Sequence, residues 1–106
     1  MVPKYEVRYS GEALDDIGEI YANILSVAWT LSADRWLRKF FEKTEKLAVF
    51  PEGNPAYRGD SGRRFLRIGK YIVIYSVKKE EKQVWILRVL YGRRDVWKVL
   101  SRVLTI

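Results

Sequence analysis

The chain has 106 residues, 48% of them apolar and 14% aromatic, enough for one domain built on one buried core and too few for two. It carries no cysteine and no histidine, which removes disulfides, thiolate metal sites, cysteine nucleophiles and the commonest general base; any catalysis must run on Tyr, Lys, Arg, Glu or Asp. The net charge of +7 is unevenly placed: residues 1–50 hold 7 basic and 8 acidic side chains, residues 51–106 hold 13 and 5, and every basic residue of the second half lies at or beyond Arg58.

Lys4, Glu6 and Arg8 break the apolar run that a signal peptide needs, and no stretch reaches the roughly 18 apolar residues of a membrane span. A soluble, cytoplasmic protein with no membrane partner is expected. Residues 4–9 alternate, with Tyr5, Val7 and Tyr9 on one side, as a half-buried strand requires. Ser10 then offers an N-cap, and Ala13, Leu14, Ile17, Ile20, Tyr21, Ile24 and Leu25 recur at the helical period, which predicts an amphipathic helix ending near residue 25. A second helix is predicted after Ser32, with Ala33, Trp36, Leu37, Phe40, Phe41, Leu47 and Ala48 as its apolar stripe and Pro51 as its stop. The two form a helical hairpin, and Trp29, Trp36, Phe40 and Phe41 are expected in the core because they fit the buried period.

Residues 51–62 have turn chemistry throughout and read as an exposed loop; Gly59-Asp-Ser-Gly62 lacks the Lys-Ser/Thr of a phosphate loop and reads as a turn. Three strands are predicted next, at 64–68, 71–77 and 84–90, joined by short hairpins at Gly69-Lys70 and 79–82. The last two are nearly continuously apolar, so they belong in the middle of the sheet. Val96, Val99, Leu100 and Val103 predict a short C-terminal helix carrying Arg93, Arg94, Lys98 and Arg102. The expected fold is α+β, a single domain over residues 1–106 in the order βααβββ, with the helical hairpin packed on a small, mainly antiparallel four-stranded sheet.

No metal-ligand set, phosphate loop or nucleophile with a histidine partner is present, so no metal and no cofactor is expected. What remains is a basic and aromatic set on neighbouring strands: Arg63, Arg64, Arg67, Tyr71, Tyr75, Arg88, Tyr91, Arg93 and Arg94. Converging guanidinium groups can hold phosphates, and the basic half implies an anionic partner, either nucleic acid or an acidic protein. The bland alternatives are a solvated basic surface kept for solubility and aromatics, Tyr71, Tyr75 and Trp85, that pack in the core.

Four passages in order carry a family likeness. Residues 5–21 resemble the opening strand and helix of the RelE/ParE toxins of type II toxin–antitoxin modules. Leu47-Ala-Val-Phe-Pro-Glu-Gly-Asn-Pro55 is similar to the passage after their second helix, Arg64-Phe-Leu-Arg-Ile-Gly-Lys-Tyr-Ile-Val-Ile-Tyr75 resembles their hairpin, and Ile86-Leu-Arg-Val-Leu-Tyr-Gly-Arg-Arg-Asp95 their closing strand. The resemblance implies a growth-inhibiting toxin, of the kind associated with plasmid stabilisation, that is neutralised in a hetero-oligomer by a smaller antitoxin. The charge split suggests an antitoxin that is acidic and largely disordered when alone. RelE-type members cleave mRNA in the ribosome, and ParE-type members poison DNA gyrase. The RelE arginine that follows the hairpin tyrosine is replaced here by Ile72, and the histidine common near the end of the last strand by Tyr91. The departures favour a ParE-like gyrase inhibitor with Arg64, Arg88, Arg93 and Arg94 as target contacts. The alternatives are a RelE-like ribosome-dependent endoribonuclease using Tyr91, Arg64, Arg67 and Arg88, and a non-enzymatic nucleic-acid-binding or inactive protein of the same fold. Whether the chain is an enzyme stays open at this point.

Overall fold

A computed structural model describes residues 4–57 and 60–92. Strand β1 (Glu6–Tyr9) leads into helices α1 (Gly11–Val27) and α2 (Thr30–Glu45), a 3-10 turn follows at Lys46–Ala48, and strands β2 (Ala56–Tyr57), β3 (Asp60–Ile68), β4 (Tyr71–Lys78) and β5 (Gln83–Tyr91) complete the described chain. The sheet runs β1-β5-β4-β3-β2, with β1 parallel to β5 and every other pair antiparallel. The expected α+β architecture and its βααβββ order are therefore present, with the two-residue β2 added at one edge. The expected C-terminal helix lies outside the described residues.

Ser10 does more than cap α1. Its hydroxyl oxygen accepts the Ala13 N–H at 3.0 Å and the hydroxyl donates to the Leu87 carbonyl at 2.9 Å, so one residue starts the helix and fastens it to β5. Ala13, Ile17 and Ile20 of α1, with Ala33 and Phe40 of α2, turn inward, Val73, Tyr75, Val84, Ile86 and Val89 of the sheet are buried with them, and Leu47 joins the core from the 3-10 turn. No helix among the described residues is long and apolar enough to cross a membrane.

Three expectations need correction. The second helix begins two residues before Ser32, because the Trp29 carbonyl already accepts the N–H groups of Ser32 and Ala33 at 2.9 and 3.2 Å. Trp29 is consequently the extended N-cap residue, outside the helical stripe, and is 82% exposed instead of being core. Residues 51–62 are not loop throughout: Ala56 pairs with Arg64, the Phe65 N–H reaches the Pro55 carbonyl at 3.1 Å, and β3 starts at Asp60.

The register between β4 and β5 shifts once: Ile74 faces Arg88 while Tyr75 faces Ile86, leaving Leu87 extra. Strict alternation from Val84 and Ile86 would have driven Arg88 into the core; the bulge hands that place to Val89 and leaves the guanidinium at the sheet edge. On the face away from the helices a second apolar cluster forms from Ile74 and Leu90 with Phe65, Ile72 and Leu87.

Candidate functional site

Among the described residues, each expected site residue has protein neighbours of its own. Arg64, opposite Tyr75 on β3, donates to the backbone carbonyls of Asn54 at 2.6 Å and Glu52 at 3.3 Å, and its Nη2 lies 3.6 Å from the Glu52 carboxylate. Tyr75 completes that anchor: its hydroxyl donates to the Pro51 carbonyl at 2.7 Å and accepts from Asn54 Nδ2 at 3.3 Å. Burial pushes this phenol above its ordinary pKa, with the Asn54 hydrogen bond and the Arg64 charge working the other way. Arg64 therefore fastens the 51–54 turn to the sheet.

Arg88 is held from α1. Its Nε and Nη2 donate to the two oxygens of Asp16 at 2.7 and 3.1 Å, and Nη1 lies 3.4 Å from Glu12 Oε2. The hydrogen bond to Asp16 makes the guanidinium hold its proton more tightly than usual, against the opposing effect of partial burial. Arg67 sits at the hairpin end, with Nε 3.3 Å from the Gly69 carbonyl. Gly69 has φ +59°, which a two-residue turn between Ile68 and Tyr71 uses and a side chain would resist.

Tyr91 is 57% exposed and its ring meets Tyr71 edge-on at 5.6 Å. Tyr71 in turn stands against Trp36 at 5.5 Å, and Trp36 stacks on Phe40 at 5.4 Å, so the phenol is the outer end of an aromatic row that starts in the core. Among the described residues no hydrogen bond joins Tyr91 to an arginine. Arg93 and Arg94 lie outside the described residues. A transphosphorylation centre needs a base and cations around one phosphate; here Arg64, Arg67, Arg88 and Tyr91 each have their own neighbours. Among the described residues no group of three acidic side chains is placed to hold a metal ion.

The sheet face turned away from α1 and α2 brings Arg63, one of the expected basic set, together with Lys78 and Arg8, which the sequence reading did not single out. A shallow cavity of about 360 Å³ is lined by Gly62, Arg63, Ser76, Lys78, Trp85 and Leu87, and the Arg8 guanidinium lies 5.8 Å from the centre of the Trp85 ring. Trp85 was expected in the core; it is half-buried on this opposite face, its indole N–H donating to Gln83 Oε1 at 3.0 Å. Tyr75 is core as expected, and Tyr71 packs against the core from its margin. The missed signal was the period of two, which puts Ser76 and Lys78 of β4 on the same side as Trp85.

A family model described as the ParE toxin of the type II toxin–antitoxin system parDE matches residues 7–96. No curated protein matches the chain. Among solved structures, the chain is similar to the chromosomal ParDE toxin–antitoxin system of P. aeruginosa, at 19% identity and a TM-score of 0.73, over 85% of this chain and 98% of that one. It is also similar to the archaeal RelE–RelB complex of Pyrococcus horikoshii OT3, at 22% identity and 0.57, over 86% and 98%. A third likeness is to the RelBE2 toxin–antitoxin complex of Mycobacterium tuberculosis, at 24% identity and 0.53, over 86% and 93%.

Proposed function

The chain belongs to the ParE toxin family of type II toxin–antitoxin systems, and from that premise we propose that it inhibits growth by acting on DNA gyrase in the cytoplasm and is neutralised by an acidic antitoxin. One observation carries the choice of gyrase over mRNA. Arg64, Arg67, Arg88 and Tyr91 each keep a protein neighbour: Arg64 the 52–54 turn, Arg67 the Gly69 carbonyl, Arg88 Asp16, and Tyr91 the Tyr71 ring. Ile72, at the position where RelE-type nucleases often carry an arginine, belongs with Ile74 and Leu90 to an apolar patch on the sheet face turned away from α1 and α2. Such a face suits protein contact better than stabilisation of a phosphorane.

The antitoxin half of the proposal is supported by similar structures described as toxin–antitoxin complexes. Arg93 and Arg94, following Gly92, remain the proposed target contacts, and Arg88 is assigned to holding the strand that leads to them. The cavity of Arg63, Lys78 and Trp85 favours a second reading, a RelE-like nuclease or a nucleic-acid-binding protein that uses this face instead. Inducible expression separates them. Loss of plasmid supercoiling with intact mRNA is expected; mRNA cleaved within codons while supercoiling persists would establish the nuclease, and growth without either effect would leave a binding protein.

A further inference from the structure

Apolar exposure among the described residues is concentrated on the helical hairpin. Of the seven exposed large apolar side chains, five belong to it: Leu14, Leu25 and Val27 of α1, Trp29 just before α2 and Leu31 in its first turn. No charged residue occurs between Glu19 and Asp34, in a chain whose net charge is +7. Single apolar side chains on a surface need no explanation; five on one hairpin with an uncharged tip mark a contact surface. The helical period puts Leu14, Gly18 and Leu25 on one stripe of α1, and a Cβ at Gly18 would meet nothing within 4 Å. The stripe is therefore open to the close approach of another helix.

Charge selects the occupant. Helix α1 carries Glu12, Asp15, Asp16 and Glu19 and no basic residue, whereas the first half of α2 carries Arg35, Arg38 and Lys39. Asp34, their acidic neighbour, accepts the Tyr21 hydroxyl at 2.6 Å, which also ties the two helices side by side. Arg88 engages Glu12 and Asp16 and feels the charge of Glu19. Among the described residues, Asp15, Glu19, Arg35, Arg38 and Lys39 enter no ion pair. A surface acidic along one helix and basic along the next is complementary to a copy of itself. We infer that the outer side of the hairpin docks a second copy of this chain about a two-fold axis running along the helices, α1 of each copy over α2 of the other. An axis across the helices would set acidic α1 on acidic α1 and repel. The axis along them also brings the two uncharged tips together, Trp29 beside Trp29 of the partner subunit. Helices of 17 and 16 residues are about 25 Å long and about 10 Å wide, so the hairpin offers about 500 Å² per copy, the low end for a specific interface. The dimer is accordingly a weak one, and it leaves the sheet faces turned away from α1 and α2 outermost.

Sedimentation velocity on the full chain, from about 1 to about 200 µM, is expected to show monomer giving way to dimer. Arg35→Glu with Lys39→Glu, and separately Asp15→Lys with Glu19→Lys, are expected to stay monomeric, because each makes the facing helices alike in sign. Mixed in equal amounts they are expected to recover the dimer, since each supplies the charge that the other lacks. Gly18→Phe is expected to abolish the dimer while its melt at the dilute end holds, because the monomer has room for the ring. Trp29→Ser is expected to weaken the dimer about tenfold, with its dilute melt no lower than the parent's. Circular dichroism checks each variant, and should a charge variant unfold, Gly18→Phe and Trp29→Ser carry the test. A parent chain monomeric throughout, or a folded Gly18→Phe that dimerises like the parent, would overturn the inference. Charge variants that dimerise alone, or a folded mixture that stays monomeric, would overturn the two-fold arrangement. A monomer that pellets with phosphatidylglycerol vesicles, and no longer does so as Trp29→Ser, would overturn it in favour of a lipid surface.

Discussion

Arg88 on β5 and Asp16 on α1 meet at two points, and the Asp16 oxygen that accepts Arg88 Nε at 2.7 Å also accepts the Val89 N–H at 2.9 Å. One carboxylate thus pairs a guanidinium and satisfies an edge amide that lies beyond the end of β1, which pairs with β5 only as far as Ile86. The side chains are 28% and 12% exposed, so the pair lies between the surface regime, where ion pairs contribute little, and the buried regime, where removing one partner strands the other.

Asp16→Ala is expected to cost about 2–4 kcal/mol, because it strips the Val89 N–H of its acceptor and leaves the guanidinium only the exposed Glu12 carboxylate at 3.4 Å. Arg88→Ala should cost less, about 1–3 kcal/mol, since Asp16 keeps the Val89 N–H; Arg88→Lys should fall between Arg88→Ala and the parent, as it retains the charge and loses the second contact point. Urea denaturation gives all three. A loss below about 0.5 kcal/mol for Asp16→Ala would place the pair in the surface class.

Tyr75→Phe removes the hydroxyl that holds the Pro51 carbonyl in a buried position, and should lower stability by about 1–2 kcal/mol. Its sharper consequence is local. Amide exchange in residues 50–54 should quicken more than in β4 or β5, because Tyr75 and Arg64 hold backbone carbonyls of this turn. Uniform quickening across the sheet would mean that the hydroxyl supports the core instead.

Tyr9 yields a pH prediction. Its phenol is pushed up to about 12, first by burial, with the hydrogen bond to Thr44 working the other way and the Glu45 charge adding to the rise. The folded state therefore keeps the proton over a range in which the unfolded chain has lost it. This contribution is complete below about pH 10, the ordinary tyrosine value, and is lost as pH rises through about 12. Thermal melts should decline over that window, and Tyr9→Phe should decline less. Identical declines would remove Tyr9 as the cause.

Trp29→Ser is expected to leave stability unchanged or raise it by up to about 1 kcal/mol, because serine is the better N-cap and the indole is exposed. A large loss in a chemical melt would restore Trp29 to the core.

The same residue shows what the sequence could not convey. Period-3.6 patterning locates Ala33 and Phe40, but it cannot tell a helical residue from the N-cap just before it, and Trp29 crosses that boundary on the strength of backbone bonds alone. In the sequence Arg88 is a charge within an otherwise apolar strand and Asp16 a carboxylate near the start of a helix. Their pairing depends on a bulge at Leu87 and on the packing of α1 along β5, neither of which a linear pattern encodes. The basic second half read as one anion-binding field; the fold sends Arg64 to a turn, Arg88 to a helix and Arg63 with Lys78 to the sheet face turned away from α1 and α2. The strand pattern, by contrast, was legible because alternation and continuous apolar runs survive in any register.

The most direct test of the gyrase assignment is to titrate the purified chain into DNA supercoiling by purified gyrase, in parallel with ribosome-bound mRNA. Inhibition of supercoiling with uncut mRNA, reversed by the antitoxin, is the expected result. Cleaved mRNA with gyrase unaffected at the same concentrations would contradict it.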